Sequence, residues 1–174
     1  MENEKGFKSN SKRDDLAGEH FFGDLGQIIS FILFLVVWIT DSFFLKYSSQ
    51  FSEFAPLYFR IPLAIIIFVF AGYLAKKGLS IVFGEVKEKP IVIRKGVFSI
   101  VRHPIYLGAI LLYLSALVLF LSIISSLIWI FIILFYVYLC KYEEKLLLDK
   151  FGREYEQYMS ETPMLLPRLY RTRK

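Results

Sequence analysis

Two short groups of polar residues border a long apolar stretch in this 174-residue chain. Arg102 and His103 stand directly before the stretch, and the adjacent carboxylates Glu143 and Glu144 follow it. Arginine and protonated histidine can bind an anion, carboxylates can bind a cation, and histidine and glutamate can exchange protons. Brought together, these four side chains could hold a ligand of mixed charge and assist the transfer of a chemical group.

The stretch between the two groups, residues 104–140, contains no Asp, Glu, Lys or Arg. As a single helix it would be about 55 Å long, whereas the hydrocarbon core of a bilayer is about 30 Å thick. Two antiparallel helices fit, with the turn at a cluster of three serines, Ser122, Ser125 and Ser126. Such a hairpin returns both of its ends to the same membrane surface, so it makes the two polar groups neighbours.

The start of this hairpin has the features of a helix N-terminus. Pro104 suits the first turn, because the amide that proline lacks would have no partner there. His103 would lie at or near the N-cap, and the free backbone N–H groups with Arg102 predict an anion site. Tyr106 follows about one turn later. The alternative is that these residues are only the interfacial anchors that are common at membrane boundaries.

The end of the hairpin predicts a helix that continues beyond the membrane. No helix breaker occurs between residues 127 and 151, and Gly152 would end or bend the helix. Glu143 and Glu144 would then lie about one turn outside the bilayer. An apolar side is predicted from the spacing of Leu147, Phe151, Tyr155 and Tyr158. The alternative is a solvated helix whose charged face has no further role.

Hydropathy predicts an all-α integral membrane protein with four transmembrane helices. Their predicted ranges are 25–45, 57–75, 104–122 and 124–140. Most of the 21 Lys and Arg residues lie in 1–24, 76–104 and 141–174. Four spans would place these three segments on the same side of the membrane. The positive-inside rule makes that side cytoplasmic, together with both termini. Residues 1–24 show no pattern of a cleaved signal peptide.

Composition excludes several other classes of protein. A chain that is 56% hydrophobic, with unbroken apolar runs, is not a soluble enzyme, a disordered segment or a secreted disulfide scaffold. One cysteine, Cys140, and two histidines cannot make a disulfide and do not favour a cysteine-based metal site. The net charge of +5 is explained by cytoplasmic loops, so we expect a membrane partner and no nucleic acid.

Several motifs follow one another in the second half of the chain. They are the RHPIYLG run of 102–108, the pair Glu143 and Glu144, the step Phe151–Gly152, Tyr155 with Tyr158, and Pro163 with Pro167. In this order and spacing they resemble the isoprenylcysteine carboxyl methyltransferase family, whose wider group includes phospholipid N-methyltransferases. The resemblance covers roughly residues 85–168. The chain lacks the GxGxxG fingerprint of dinucleotide-binding folds.

The resemblance implies an integral-membrane methyltransferase that uses S-adenosylmethionine and a lipid or prenylated acceptor. It implies a cytoplasmic cofactor pocket and no metal. The implied catalytic residues are Arg102, His103 and Glu144. The implied cofactor-binding residues are Gly96, Val97, Phe98, His103, Pro104, Tyr106, Gly108, Glu143 and Glu144. The implied organisation is a polar segment 1–24, two transmembrane helices in 25–75, and a catalytic region 76–174.

Two departures from the family pattern bear on the acceptor. Phe98 stands where family members commonly have tyrosine, and Lys141 is the nearest cation to the acidic pair, where they often have arginine. Lysine cannot grip a carboxylate with two parallel hydrogen bonds. This departure weakens the case for a carboxylate acceptor. Carboxyl O-methylation of the isoprenylcysteine type is still the first expectation, and phospholipid N-methylation is the alternative. Two further alternatives are a sterol-type reductase that uses NADPH and a non-enzymatic membrane scaffold or transporter subunit.

Overall fold

The computed structural model describes residues 21–46, 55–84 and 91–167. Within these ranges the secondary structure is helical, without strands, which confirms the all-α prediction. Residues 1–20 of the predicted N-terminal segment 1–24 lie outside the described residues, and so do residues 85–90 of the basic loop. The helices are α1 Phe21–Ile39, which continues as a π-helical segment Thr40–Leu45, α2 Leu57–Phe83, α3 Pro104–Phe120, α4 Ile123–Phe151 and α5 Arg153–Glu161, with a 3₁₀ turn at Gly96–Ser99.

Three segments are long and apolar enough to cross a membrane. They are Gly23–Leu45, Leu57–Phe83 and Ile123–Phe151. The fourth predicted span, α3, is apolar but has only 17 residues, which corresponds to about 25 Å. The chain is thus a multi-pass membrane protein with three candidate spans, and the fourth crossing remains a prediction.

Helix α2 is longer than its apolar sequence indicates. It continues through Lys76 and Lys77 to Phe83, whereas the hydropathy pattern predicts an end at residue 75. Lysine does not break a helix, and this last part packs on the start of α3. At Gly78 an added Cβ would lie 2.6 Å from a side-chain carbon of Ile105. The helix ends only at Gly84, so the predicted boundary at 75 is wrong.

The turn between α3 and α4 lies at residues 121 and 122, at the first serine of the cluster. Leu121 adopts a left-handed conformation, with φ of 50°, and so turns the chain without glycine or proline. Ser122 is the N-cap of α4, and its hydroxyl accepts a hydrogen bond of 3.1 Å from the amide of Ser125. Helix α4 then runs unbroken into its charged portion, and Gly152 ends it, as predicted.

Buried polar contacts close the bundle at the end where this turn lies. The Ser122 hydroxyl donates to the carboxylate of Asp41 at 2.5 Å, and both side chains are buried. Arg60 at the start of α2 donates from Nη1 to the carbonyl of Leu119 in the last turn of α3. Cations favour the C-terminal ends of helices, where carbonyl groups lack helical partners. These contacts join the end of α1 to the α3–α4 turn and the start of α2 to the end of α3.

Helix α3 is the central helix of the bundle. The indole of Trp38 on α1 donates to the carbonyl of Ala116 at 3.1 Å, and that of Trp129 on α4 donates to Ile110 at 3.0 Å. Helix α2 packs along α3 more extensively than any other pair of helices. At Gly108 an added Cβ would lie 2.9 Å from the carbonyl oxygen of Ala71 on α2. Glycine therefore allows the two backbones to approach closely, as small residues do in membrane helix pairs.

Replacing Gly108 with alanine should destabilise the fold by about 1–3 kcal/mol, because the new methyl group would overlap backbone atoms that cannot rotate away. The matched control is Gly72→Ala on α2, where no atom lies within 4 Å of an added Cβ. That variant should be neutral or slightly stabilising, since alanine favours helix. Thermal unfolding of both variants in detergent measures the difference. Equal melting temperatures for the two variants would contradict the packing described for α2 and α3.

Candidate active site

A cavity of about 420 Å³ lies at the opposite end of the bundle from the Ser122 turn. Its walls come from the first turns of α1, the last turns of α2, the start of α3, the charged part of α4 and the helix α5. Residues 91–93 and Phe98 form the remaining wall. The charged side chains that line it are Asp24, Arg102, His103 and Glu143. The two polar groups of the hairpin therefore meet at one cavity.

Arg102 lines the cavity and makes three hydrogen bonds within the protein through Nε and Nη1. Its Nε donates to Oε1 of Glu144 at 2.7 Å, and both side chains are more than nine-tenths buried. Its Nη1 donates to the carbonyl of Met159 at 3.0 Å and also to the carbonyl of Thr162. The guanidinium thus joins the start of α3 to α4 and to the residues around the end of α5. Arg102 acts here as a positioning residue.

The segment after α5 covers the N-terminus of α3. The amide of Arg102 donates to the carbonyl of Pro163 at 2.9 Å, and that of His103 donates to Met164 at 3.1 Å. Leu165 packs against both hydrophobic clusters of the bundle. These two amides are occupied within the protein, and the predicted anion site at the helix start stays a prediction. The predicted N-cap position of His103 is correct.

His103 lies between the two carboxylates. Its Nε2 is 3.1 Å from Oε1 of Glu144, and its Nδ1 is 3.5 Å from Oε2 of Glu143. Burial opposes the charged form of this ring, but hydrogen bonds with Cys140, Glu143 and Glu144 outweigh burial and raise the pKa of His103 well above 6.5. A doubly protonated ring can donate to both carboxylates. Two cations and two anions then balance within this cluster.

Of the two carboxylates in the cluster, Glu143 lines the cavity and Glu144 does not. Its side chain is 24% exposed, whereas that of Glu144 is 6% exposed. The hydroxyl of Tyr106 donates to Oε1 of Glu143. The ring of Tyr106 also lies nearly parallel to that of His103, with centroids 5.8 Å apart. Tyr106 therefore orients Glu143 and contributes an aromatic wall beside it.

The other predicted site residues have different positions. Phe98 and Pro104 line the cavity. Gly96 has φ of +62° and forms the 3₁₀ turn that presents Phe98, while Val97 is buried in a hydrophobic cluster beside that turn. Gly108 packs against α2, away from the cavity lining. Sequence alone did not separate the residues that support the cavity from those that line it.

Several cavity residues were not predicted as site residues. Asp24 and Gln27 on α1 line the wall opposite α4, and no motif marks them in the sequence. Tyr155 and Tyr158 of α5 line another wall, and the hydroxyl of Tyr158 donates to the carbonyl of Phe98 at 2.6 Å. Burial raises the pKa of Tyr158 to about 12, so this hydroxyl keeps its proton and remains a donor. The spacing of the two tyrosines was the available signal.

The charge on His103 predicts how stability depends on pH. Because the folded state holds the proton more tightly than the unfolded state, the stabilisation is present below about pH 6.5 and is lost as the pH rises through the raised pKa. The melting temperature of the parent protein should therefore fall as the pH rises above about 6.5. His103→Gln should flatten this dependence. An equally steep fall in the variant would show that another group is responsible.

One family model matches the chain. The family is described as Phospholipid methyltransferase, and the match covers residues 60–154, more than half of the sequence. The matched range includes Arg102, His103, Glu143 and Glu144, but it ends before most of α5 and excludes α1. No curated protein matches the chain. The family lies in the wider group that the motifs resemble, and the chain belongs to this phospholipid methyltransferase family.

Proposed function

We propose that this protein is an integral-membrane methyltransferase that uses S-adenosylmethionine and methylates a lipid or lipid-modified acceptor. The observation that carries the proposal is the cavity where Glu143 meets the buried Arg102–Glu144–His103 cluster at one end of an apolar bundle. Family membership supports methyl transfer over the sterol-type reductase and the non-enzymatic scaffold.

The residues of the cavity fit this cofactor. S-adenosylmethionine carries a sulfonium and an ammonium, and a carboxylate such as Glu143 suits either cation. The faces of Phe98, Tyr106 and Tyr158 can stack on the adenine or face the sulfonium. A volume of about 420 Å³ lies within the range of about 300–1,000 Å³ that is typical of small-molecule sites. When bound, the cofactor supplies an electrophilic methyl group for in-line displacement.

The protein's own residues hold the geometry that such a displacement needs. Arg102 fixes Glu144, Glu144 and Glu143 fix His103, and Tyr106 fixes Glu143. Because each polar group in this series has a partner, the side chains are oriented before a ligand arrives. Apolar residues such as Leu139 and Leu147 line the rest of the cavity and exclude water from the reacting groups. Gly96, Val97 and Gly108 contribute through the backbone and packing.

The arrangement of the helices supports four crossings. Helix α3 lies antiparallel to α2, because Gly78 near the end of α2 meets Ile105 while Arg60 at its beginning meets Leu119. Short as it is, α3 extends from one end of the bundle to the other. Four crossings place both termini and the cavity on one side, which we propose is the cytoplasm, where the cofactor is made. The segment 76–174 then supplies most of the catalytic region, and 25–75 adds the first two spans.

The cavity supports an amine acceptor better than a carboxylate. A carboxylate acceptor favours a free cation, and among the described lining residues the two cations, Arg102 and His103, are both paired with glutamates. Lys141 is exposed and does not line the cavity, where Leu139 occupies the position one turn before Glu143. We therefore place a lipid with an amine head group first; its ammonium would lose a proton to a lining carboxylate, Asp24 or Glu143, before the nitrogen attacks the methyl carbon. The motif resemblance keeps an isoprenylcysteine-type carboxylate as the second candidate.

Cofactor binding tests the proposal. Purified protein in detergent should bind S-adenosylmethionine in a calorimetric titration. Glu143→Gln should weaken that binding by about 1–3 kcal/mol, the scale of a lost charge-assisted hydrogen bond. The matched control is Glu156→Gln on α5, whose side chain is exposed and lies outside the cavity lining.

The control variant should bind as tightly as the parent and melt at the same temperature. Two results would sink the cofactor assignment. One is a parent protein that shows no heat of binding while it remains folded. The other is a Glu143→Gln variant that binds S-adenosylmethionine as tightly as the parent.

A further inference from the structure

One arginine is buried at the end of the bundle that lies opposite the active site. Arg60, in the first turn of α2, is 8% exposed, although residues 57–59 before it are all more than half exposed. Its Nη1 donates to the carbonyl of Leu119, and among the described residues its Nε has no hydrogen-bond partner. The carboxylate of Asp41 is buried at the same end, but none of the ion pairs in the described part of the chain involves Arg60. A charged side chain in a membrane helix is costly without a partner, so such a residue marks a candidate site.

A second cavity, of about 470 Å³, lies between α1, α2 and α3. Its walls extend from Phe31 to Leu35 on α1, from Ile61 to Phe68 on α2 and from Leu112 to Leu119 on α3. All of the side chains that form these walls are apolar except Tyr113 and Ser115. The wall residues Ile65 and Phe68 are both 56% exposed, so the cavity opens sideways toward the medium around the helices.

Arg60 stands at one end of this second cavity, although it does not line the walls itself. On α2 it comes directly before Ile61, the first wall residue, and it shares a helix face with Ala64, another wall residue, four positions later. On α3 its guanidinium binds Leu119, the last wall residue. Because α2 and α3 are antiparallel, both contacts lie at the same end, next to the Ser122 turn. A cation therefore stands at the end of an apolar cavity in the half of the bundle away from the active site.

The walls determine what can fill this cavity. A buried water needs two to four polar partners, and the two polar wall side chains are bonded within the protein. The hydroxyl of Ser115 donates to the carbonyl of Leu112 at 2.6 Å, and that of Tyr113 is hydrogen-bonded to Tyr136. An apolar cavity that opens toward the interior of a bilayer admits a hydrocarbon chain instead. Since α1 packs mainly on α4 and α2 packs on α3, a chain in this position would connect the two helix pairs.

We propose that the second cavity binds an acyl chain of an anionic phospholipid from the membrane leaflet at this end of the bundle, with the lipid phosphate paired with Arg60. The chain is in hydrocarbon before and after it binds, so burial of apolar surface does not select the lipid. Arg60 makes the selection, because an anionic lipid supplies the opposite charge that the described residues lack, whereas a zwitterionic lipid carries a cation of its own. This site is separate from the active site and does not depend on the proposed function.

Quenching of tryptophan fluorescence tests the site, because the chain has only two tryptophans. Trp38 on α1 donates to the carbonyl of the wall residue Ala116 at 3.1 Å, so its indole reports on the cavity. Trp129 is bonded to Ile110, which is not a wall residue, and is replaced by phenylalanine. The full-length Trp129→Phe protein in detergent micelles is titrated with phosphatidylglycerol or phosphatidylcholine that carries bromine on its chains, because bromine quenches a nearby indole. Phosphatidylglycerol should reach half-maximal quenching at a concentration at least about fivefold lower. The parent with both tryptophans should show the same order of preference.

The head-group test changes the charge at Arg60. Arg60→Gln should remove the preference for phosphatidylglycerol, whereas Arg60→Lys, which keeps the charge, should retain part of it. The matched control is Lys46→Gln, because Lys46 is an exposed cation that follows α1 at the same end of the bundle. This control should keep the full preference. Inorganic phosphate at the same concentration should not relieve the quenching, because it has no chain to hold it in the cavity.

The chain test narrows the cavity. Ala64→Leu places a larger side chain on the wall next to Arg60 and should raise the concentration of phosphatidylglycerol for half-maximal quenching at least about threefold. Gly72→Leu on the same helix is the matched control, because no atom lies within 4 Å of an added Cβ there. It should leave the titration unchanged.

Each remaining outcome decides the proposal. Equal quenching of the folded parent by the two lipids would overturn it, as would a preference that survives in Arg60→Gln. A loss in Lys46→Gln as large as that in Arg60→Gln would assign the preference to general surface charge and reject the Arg60 site. If Arg60→Gln does not fold, Arg60→Lys and Ala64→Leu decide, and an Ala64→Leu variant that titrates like the parent rejects the cavity. None of these results bears on methyl transfer, which the cofactor titration tests separately.

Discussion

The ion pair between Arg102 and Glu144 joins parts of the chain that are far apart in sequence. The guanidinium stands before α3, the carboxylate lies on α4, and the carbonyls that complete the contact come from Met159 and Thr162. Burying such a pair costs desolvation free energy, which is offset only when hydrogen bonds satisfy the remaining polar atoms. Here His103 shares the same carboxylate oxygen. This cluster and the backbone hydrogen bonds to Pro163 and Met164 together fix the start of α3 relative to the end of α4 and to α5.

A second constraint acts along the membrane helices. Close packing at Gly108 and Ala71 binds α2 to α3, while Gly26 and Phe135 bring α1 against α4. Because the helices associate as these two pairs, a cleft remains between α1 and α2 above the central α3. The ion cluster closes one end of the bundle, and the Asp41–Ser122 contact closes the other. Between these closures the structure combines a charged cavity, which suits a polar cofactor, with an apolar groove, which suits a lipid chain.

Much of this arrangement follows from the sequence. The absence of charge from 104–140 requires a hairpin, Ser122 caps its second helix, and Gly152 ends that helix, so the meeting of the two polar groups was predictable. The extension of α2 to Phe83 was not predictable from hydropathy. Hydropathy indicates where a helix leaves the apolar medium, but not where its backbone hydrogen bonding stops. Helix ends need a breaker or a cap, and α2 passes through Gly78, where it packs on α3, and ends only at Gly84.

The roles of individual charges were harder to predict. A sequence shows that Arg102 and Glu144 are available, but whether an arginine binds a ligand or a carboxylate of its own chain depends on distances that only the fold supplies. The fold shows that Arg102 binds Glu144 and two carbonyl groups of its own chain, which the sequence did not predict. Asp24 was missed for the opposite reason, since a single acidic residue at the start of an apolar helix has no spacing partner in sequence. Its significance comes from the cavity that α3 and α4 form across from it.

The most direct test of this account is an experimental structure of the protein with S-adenosylhomocysteine, the product form of the cofactor, in a lipid environment. We expect the ligand in the cavity beside Glu143 and Tyr106, with its ammonium near the Glu143 carboxylate. The contact between Arg102 and Glu144 should remain intact. Density for the ligand elsewhere on the protein, or an Arg102 released from Glu144 to bind the ligand carboxylate, would contradict the claim that the buried ion cluster builds the cofactor site.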